Sequence, residues 1–177
     1  MKRLIPFVLA VWLVQSVLAA GNDLSAGIQV YFSPKGGRTE AVVEALSKAK
    51  STVLVQAYSF TSPPIAKALT EAQRRGVKIQ IVLDKSNRTD RYSAATFTQD
   101  YGVPTFIDDR HAIAHNKIII IDGQTVLTGS FNFTKQAEEL NAENLLVIED
   151  SAIAANWKVH FTHSKPYVRK EATSHRQ

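Results

Sequence analysis

The chain has 177 residues and 45% of them are apolar, which is enough for one domain with a buried core and too few for two substantial domains. The chain has 21 lysine and arginine residues and 16 aspartate and glutamate residues. This excess of positive charge does not decide whether the partner is a polyanion. The absence of cysteine excludes thiol nucleophiles, thiolate metal sites and disulfides.

The first 21 residues have the pattern of a secretory signal peptide. Two basic residues precede an apolar run at positions 4–18, and small residues follow it. The run is about 15 residues long, short of the roughly 20 that a membrane anchor needs. Cleavage after Ala19 or after Gly21 satisfies the small-residue rule, and the second choice makes Asn22 the mature N-terminus. We therefore predict that the protein is exported, with no membrane attachment after cleavage.

Residues 22–177 are predicted to form one α/β domain, because short β-branched runs alternate with segments of helical period. Strands are predicted at 28–32, 52–59, 77–84, 104–107, 115–121, 125–128 and 145–149. Helices are predicted at 39–50 with Thr39 as N-cap, at 65–75 before Gly76, weakly at 90–101, and at 152–163. We expect a mixed, largely parallel sheet with helices on both faces.

A cationic pair stands at the start of the fifth predicted strand. His115 and Lys117 are two residues apart and therefore share one face of the strand. Four isoleucines follow and bury the strand on both sides, so the lysine needs an anion nearby. A phosphate oxygen would satisfy Lys117 while the imidazole of His115 reaches the phosphorus atom.

A predicted hairpin brings further polar groups to the same place. The chain reverses at the Asp122-Gly123 turn, so the next strand returns Gly129, Ser130 and Asn132 to the start of the preceding strand. These residues offer close backbone approach, a hydroxyl and a side-chain amide. We therefore expect these groups and the cationic pair to converge on one phosphate.

From His115 to Asn132 the chain reads H-x-K, four residues, D, six residues, G-S-x-N, which resembles the signature of the phospholipase D superfamily. Six fixed positions match, and chance would produce such a match in roughly one chain in a million. Looser similarity extends along the mature chain. The resemblance implies a phospholipase D-like domain, with His115 as a nucleophile that forms a phosphohistidine. It also implies that Lys117, Ser130 and Asn132 bind the phosphoryl oxygens, and that no metal or other cofactor takes part.

Two carboxylates are predicted to have different roles. Asp122 lies seven residues from His115, about 20 Å along an extended strand. We therefore expect it to stabilise its own turn by accepting local backbone hydrogen bonds. Glu143 shares a strand face with Leu145 and Val147, where an acid is costly unless paired, and the family has a glutamate after G-S-x-N. We predict that it holds the second ring nitrogen of His115, and a solvated acid is the alternative.

One motif per chain implies half of an active site, because in the family one histidine attacks phosphorus and another protonates the leaving oxygen. His163-Ser-Lys165 is not a second copy, since Pro166 follows it and no Asp or Gly-Ser-x-Asn stands at the required spacing. We therefore expect a two-fold homodimer in which His115 of each subunit faces the other across one shared site.

Other polar groups have weaker interpretations. One interpretation is a metal site made of Asp108, Asp109, His111 and His115. It needs a helix that places the two histidines on one face, but Pro104 argues against that helix and no His-Glu-x-x-His pattern is present. We expect His111 to lie in a loop near the site. The segment Pro34-Lys-Gly-Gly-Arg38 is interpreted as a turn and cap. Seven basic residues in loops or element ends could bind a phosphate backbone or be ordinary solvated charges: Lys35, Arg38, Lys85, Arg88, Arg91, Arg110 and Lys135.

Chain size favours one branch of the family. Lipid-acting members usually carry two motifs in a long chain, whereas this chain has one motif and resembles the nuclease branch. We therefore predict an exported, non-specific endonuclease that acts on DNA, with RNA left open. A lipid phosphodiesterase is the first alternative, and a nucleic-acid-binding module without turnover is the second.

Overall fold

The computed structural model describes residues 27–88 and 93–163. The predicted signal peptide at residues 1–21 lies outside these ranges, as do Arg91 and most of the rejected second motif. Within them, no helix is long and apolar enough to cross a membrane.

In the described part of the chain, seven strands form one sheet in the order β1-β7-β6-β5-β2-β3-β4. The strands are β1 (Ile28–Phe32), β2 (Thr52–Ala57), β3 (Lys78–Asp84), β4 (Thr105–Asp108), β5 (Lys117–Ile121), β6 (Thr125–Gly129) and β7 (Asn144–Glu149). The helices are α1 (Arg38–Lys48), α2 (Pro63–Arg74), α3 (Ala94–Asp100), α4 (Lys135–Glu139) and α5 (Ser151–His163), with a 3₁₀ turn at Lys85–Arg88.

The sheet is mixed, as predicted, but the prediction that it is largely parallel is wrong. Among the seven strands, only β2 with β3 and β3 with β4 pair in parallel, and helical crossovers connect these strands. The remaining four pairings are antiparallel. A short turn can join only antiparallel neighbours, and β5 also enters beside β2 in the opposite direction.

The core lies on both faces of the sheet, which confirms the expected arrangement of helices. On the larger side, α1 and α2 pack against alternate strand residues, including Ile119 and Ile121. On the other side, α5 covers Ile118 and Ile120. All five residues of β5 are buried, so this strand is central and its first residue, Lys117, begins inside the protein.

The start of α1 differs from the prediction. The helix begins at Arg38 with Gly37 as N-cap, and not with Thr39 in that role. The amide and hydroxyl of Thr39 instead donate to the Glu138 carboxylate, at 2.9 and 3.0 Å. Glu138 belongs to α4, a short helix that was not predicted and that Thr134 caps by accepting a hydrogen bond from the Ala137 amide.

Arg38 is therefore neither available to a phosphate backbone nor a solvated charge, so both interpretations from the sequence are wrong for it. Its side chain is 0% exposed and pairs with Glu138 at 2.8 Å. The guanidinium also lies over the Phe131 ring, 5.4 Å from its centroid. This buried pair joins the start of α1 to the segment after β6, because an arginine at that depth needs a carboxylate partner.

Candidate active site

Strand pairing brings most of the predicted site residues to one end of the sheet, called here the active-site end. It is the end where β2 and β6 finish and where the antiparallel strands β5 and β7 begin. Ile118 pairs with Thr128, so Gly129 lies opposite Lys117. Gly129 in turn pairs with Leu145, which places Ser130 beside the start of β7.

Lys117 is a buried cation with spare hydrogen-bonding capacity. The residue is only 7% exposed. Its Nζ atom donates a hydrogen bond to the carbonyl of His115 at 2.8 Å. An ammonium group has three N–H donors. Because the described part of the chain uses one of them, two remain for a ligand. Burial lowers the pKa of Lys117 below its ordinary value of 10.5, and the negative charge of Glu143 partly opposes this effect.

His115 lies just before β5, whereas the prediction placed it inside the strand. It is exposed, and its ring is 4.5 Å from the ring of Tyr58, centroid to centroid, at an angle of 54°. Neither ring nitrogen has a hydrogen-bond partner among residues 27–88 and 93–163. The imidazole is therefore open to a substrate or to a second subunit.

The predicted hydrogen bond between Glu143 and His115 is absent from the described chain. Glu143 Oε1 instead accepts from Asn141 Nδ2 at 3.1 Å. The backbone of Glu143 is held by Ser33, whose hydroxyl accepts from the Glu143 amide at 2.8 Å. Glu143 thus lies at the active-site end and acts on the Lys117 charge, but it does not orient His115 of its own chain.

The Gly-Ser-x-Asn segment packs tightly on Asn144. A Cβ on Gly129 would lie 2.3 Å from the backbone oxygen of Asn144, so only glycine fits this position. The close approach expected of Gly129 is thus to neighbouring backbone. Ser130 is exposed, and its hydroxyl accepts from the Asn144 amide at 3.0 Å. The Oδ1 atom of Asn132 is buried and has no hydrogen-bond partner in the described residues.

Asp122 stands at the opposite end of the sheet from His115. Its carboxylate accepts hydrogen bonds from the amides of Lys50, Ser51 and Thr52 at 2.8–2.9 Å, and from the Ser51 hydroxyl at 2.8 Å. Burial acts to raise the pKa of Asp122, but these hydrogen bonds outweigh it and the pKa lies below its usual value. The position agrees with a structural role, although the partners belong to the α1–β2 connection and the first residue of β2, and not to the local turn.

Two aspartates that sequence reasoning did not assign to the site hold the loop before His115. They are neighbours at the ends of β3 and β4, where Asp84 pairs with Asp108. Asp84 Oδ2 accepts from the Ala114 amide at 2.8 Å, one residue before His115. Asp108 Oδ2 lies 2.7 Å from His111 Nδ1, which places His111 in the loop as predicted. Among the described residues, no group of three histidines or carboxylates could hold a metal ion.

Basic residues border the active-site end. Lys35 follows β1, Lys85 follows β3, Arg110 follows β4 and Lys135 begins α4. Lys85 Nζ donates to the carbonyl of His111 at 3.3 Å. Arg88 pairs with Asp109 at 2.7 Å, so its charge is locally compensated.

Tyr58 is a further residue of the site that sequence reasoning did not single out. It directly follows β2, and its ring contacts His115 and lies 5.1 Å from Lys117 Nζ. An aromatic residue at the end of a buried strand was the available signal, but this is also the ordinary composition of strands.

Fold and site together define a member of the phospholipase D superfamily, and the chain belongs to it. Residues 42–165 match the family described as "Cardiolipin synthase, PLD-like domain". Among solved structures, the chain is similar to Nuc from Salmonella typhimurium, a phospholipase D family member. The identity is 40% and the TM-score 0.76, covering 80% of this chain and 98% of that one.

Relatives named Phospholipase D are also similar to this chain. The protein from Rickettsia typhi is 42% identical over 130 residues, which are 73% of this chain and 64% of the relative. The protein from Rickettsia prowazekii is 41% identical over 137 residues, which are 77% of this chain and 67% of the relative. The chain thus spans about two thirds of the length of these relatives.

Proposed function

We propose that the protein hydrolyses phosphodiester bonds of nucleic acid through a covalent phosphohistidine at His115, without a metal ion. The observation that carries the proposal is the pairing of an exposed, unbonded imidazole with the buried ammonium of Lys117. A buried cation with free donors is a site for an anion, and the imidazole beside it is a nucleophile for that anion's phosphorus atom.

The proposed reaction has two displacements. A ring nitrogen of His115 attacks phosphorus, and the bond to the leaving oxygen breaks as His115 of the second subunit donates a proton to that oxygen. Water then attacks phosphorus and gives its proton to the second histidine, so the phosphorus–nitrogen bond breaks and a phosphate monoester leaves. Lys117, Ser130 and Asn132 are proposed to bind the non-bridging oxygens, where charge develops in both steps.

The need for a second histidine supports a dimer, and the surface supports its location. Three large apolar side chains are exposed at the active-site end: Phe32 at 64%, Ile113 at 60% and Leu140 at 75%. We propose that a two-fold interface covers them and sets the two half-sites face to face. Glu143, which does not bond to His115 of its own chain, is proposed to hold the ring of His115 of the second subunit.

Leu140→Asp is expected to produce a folded monomer with activity reduced by at least about 100-fold, because it removes the second histidine from each site. Light scattering after size-exclusion chromatography gives the mass, and turnover is measured on the same sample. Tyr101→Asp is the matched control. Tyr101 is also exposed, but it directly follows α3 and lies at the other end of the sheet. An active Leu140→Asp monomer would exclude the shared site.

Nucleic acid is the proposed substrate for two reasons. The chain carries one motif, as expected for the nuclease branch of the family, and the similarity to Nuc covers 98% of Nuc. Basic residues also border the site, where they can bind backbone phosphates. A lipid phosphodiester is the second candidate, because relatives are named Phospholipase D and apolar side chains are exposed at the same end.

The substrate is decided by incubating the purified protein, with and without EDTA, with plasmid DNA, with RNA and with phosphatidylcholine vesicles. Cleavage of DNA that His115→Ala does not catalyse is the expected result. Cleavage of vesicles alone would support the lipid candidate. Binding to DNA without cleavage of any substrate would support the module without turnover, and activity that EDTA abolishes would contradict the metal-free mechanism.

Export is a further part of the proposal. Residues 1–21 are proposed to direct secretion and to be removed, which leaves 22–177 in the periplasm or the medium. The intact mass of protein recovered from those fractions checks this, with Asn22 expected as the first residue.

A further inference from the structure

We infer that Tyr58 is a positioning residue for the catalytic pair, and that its aromatic ring holds both the imidazole of His115 and the ammonium of Lys117. This inference rests on the proposed phosphodiester chemistry. It begins from an apparent gap in the site, because an exposed nucleophilic imidazole needs a fixed orientation, yet no described residue of its own chain bonds to either ring nitrogen.

The Tyr58 ring is the aromatic contact of His115. The two centroids are 4.5 Å apart and the planes are inclined by 54°, which is within the range of favourable tilted pairs. Such a contact restricts rotation of the imidazole about its side-chain bonds and leaves both nitrogens open. A hydrogen bond from within the chain would occupy one nitrogen, so an aromatic contact suits a ring that must meet phosphorus with one nitrogen and a carboxylate with the other.

The same ring also contacts the second member of the pair. Lys117 Nζ lies 5.1 Å from the Tyr58 centroid, within the range of a cation–π interaction. The ammonium is buried and has one hydrogen bond within the described chain, to the carbonyl of His115. The ring therefore stabilises the charge without using the remaining donors, which stay available to a phosphate oxygen.

Tyr58 is itself held from both sides. Its amide donates to the carbonyl of Asn116, the residue between His115 and Lys117, at 2.8 Å. Its carbonyl accepts from Asn87 Nδ2 at 2.7 Å, and the buried Asn87 side chain accepts from the Ser93 hydroxyl at 3.0 Å. The ring is thus carried on a fixed backbone at the junction of β2, β5 and the 3₁₀ turn.

The ring, and not its hydroxyl, makes these contacts. The Tyr58 hydroxyl has no hydrogen bond within residues 27–88 and 93–163, whereas both close contacts are to the ring itself. Phenylalanine should therefore replace tyrosine, and an aliphatic residue should not. This difference separates positioning by the ring from acid–base chemistry by the phenol.

The kinetic test compares Tyr58→Phe with Tyr58→Leu on bis(p-nitrophenyl) phosphate and on DNA. Tyr58→Phe is expected to stay within about 3-fold of the unmodified protein. Tyr58→Leu is expected to lower kcat by about 10- to 100-fold with little change in KM for the small diester, since misplacement of a reacting group by about 1 Å has an effect of that size. Tyr101→Leu is the matched control, because Tyr101 also pairs with a ring and a cation, Phe97 and Arg74, outside the site.

A second measurement does not depend on turnover. The ring current of Tyr58 should shift the Cε1–H signal of His115 in proton–carbon NMR spectra, with the signal assigned from its loss in His115→Ala. Tyr58→Phe should keep the shift and Tyr58→Leu should lose it, while the His111 signal stays unchanged. Tyr58→Met repeats both measurements if the leucine variant does not fold.

Distinct results would overturn the inference and the proposed function. An unchanged kcat in Tyr58→Leu, or equal losses in the leucine and phenylalanine variants, would overturn positioning by the ring. A His115 signal that is the same in all variants would also overturn it. An unmodified protein that cleaves neither substrate would refute the proposed function, and the NMR measurement would still decide whether Tyr58 holds His115.

Discussion

His115→Ala is expected to lose phosphodiesterase activity by about 10⁴-fold or more, because the proposed two-fold site would lose its nucleophile and its acid in one substitution. The fold should remain, since His115 is exposed, precedes β5 and makes no ring hydrogen bond within the described chain. We expect the free energy of unfolding to change by no more than about 0.5 kcal/mol. Single-turnover cleavage of labelled DNA and urea unfolding of the same preparation measure the two quantities.

His111→Ala is the matched control for this variant. His111 lies in the same loop, but its ring pairs with Asp108 and does not contact Tyr58. We expect this variant to keep the covalent chemistry. Mass spectrometry of a reaction quenched at alkaline pH should find the phosphoryl adduct on the peptide that contains His115. Cleavage at the normal rate by His115→Ala, or an adduct on another residue, would contradict the mechanism.

Lys117→Met is expected to separate activity from stability. Loss of one charged donor to the phosphoryl oxygens should lower kcat by about 10²- to 10³-fold. The free energy of unfolding should stay equal or rise, because methionine has a similar length and does not have to be desolvated as an ammonium. Lys67→Met is the control: Lys67 is exposed on α2, and its replacement should change neither quantity.

The stability difference between Lys117→Met and the unmodified protein should depend on pH. Burial lowers the pKa of Lys117, so the unfolded chain binds more protons than the folded chain between that lowered pKa and 10.5. Stability of the unmodified protein therefore rises with pH through this window, and the advantage of the methionine variant shrinks. Urea unfolding at neutral and alkaline pH measures it. A methionine variant that is less stable by more than about 2 kcal/mol at neutral pH would contradict this view of Lys117.

The sequence predicted features that depend on neighbours along the chain. The run of four isoleucines in β5 predicted a strand that is buried on both faces, and the structure confirms it. The Asp122-Gly123 turn predicted a hairpin that returns Gly129 opposite Lys117. Both predictions rest on the period-two geometry of a strand and on turn chemistry, which a few consecutive residues encode.

The orientation of the sheet was predicted wrongly for a physical reason. Alternating strands and helices favour parallel pairing when each strand lies beside the next one in the chain. Here β5 inserts next to β2, and β7 inserts between β6 and β1, so antiparallel pairs predominate. The strand order depends on the packing of the whole chain, and a local sequence pattern does not encode it.

By itself, the sequence determined the family and predicted the reacting groups, because the spacing from His115 to Asn132 is specific and lies within one strand, one turn and the return strand. Tertiary structure alone decided what surrounds them. It buried Arg38 against Glu138, tied Asp122 to the α1–β2 connection, paired Glu143 with Asn141 and set Tyr58 against His115 and Lys117. Except for the Glu143–Asn141 pair, those contacts join segments far apart in the chain, and their geometry follows from strand order and packing, which no run of neighbouring residues specifies.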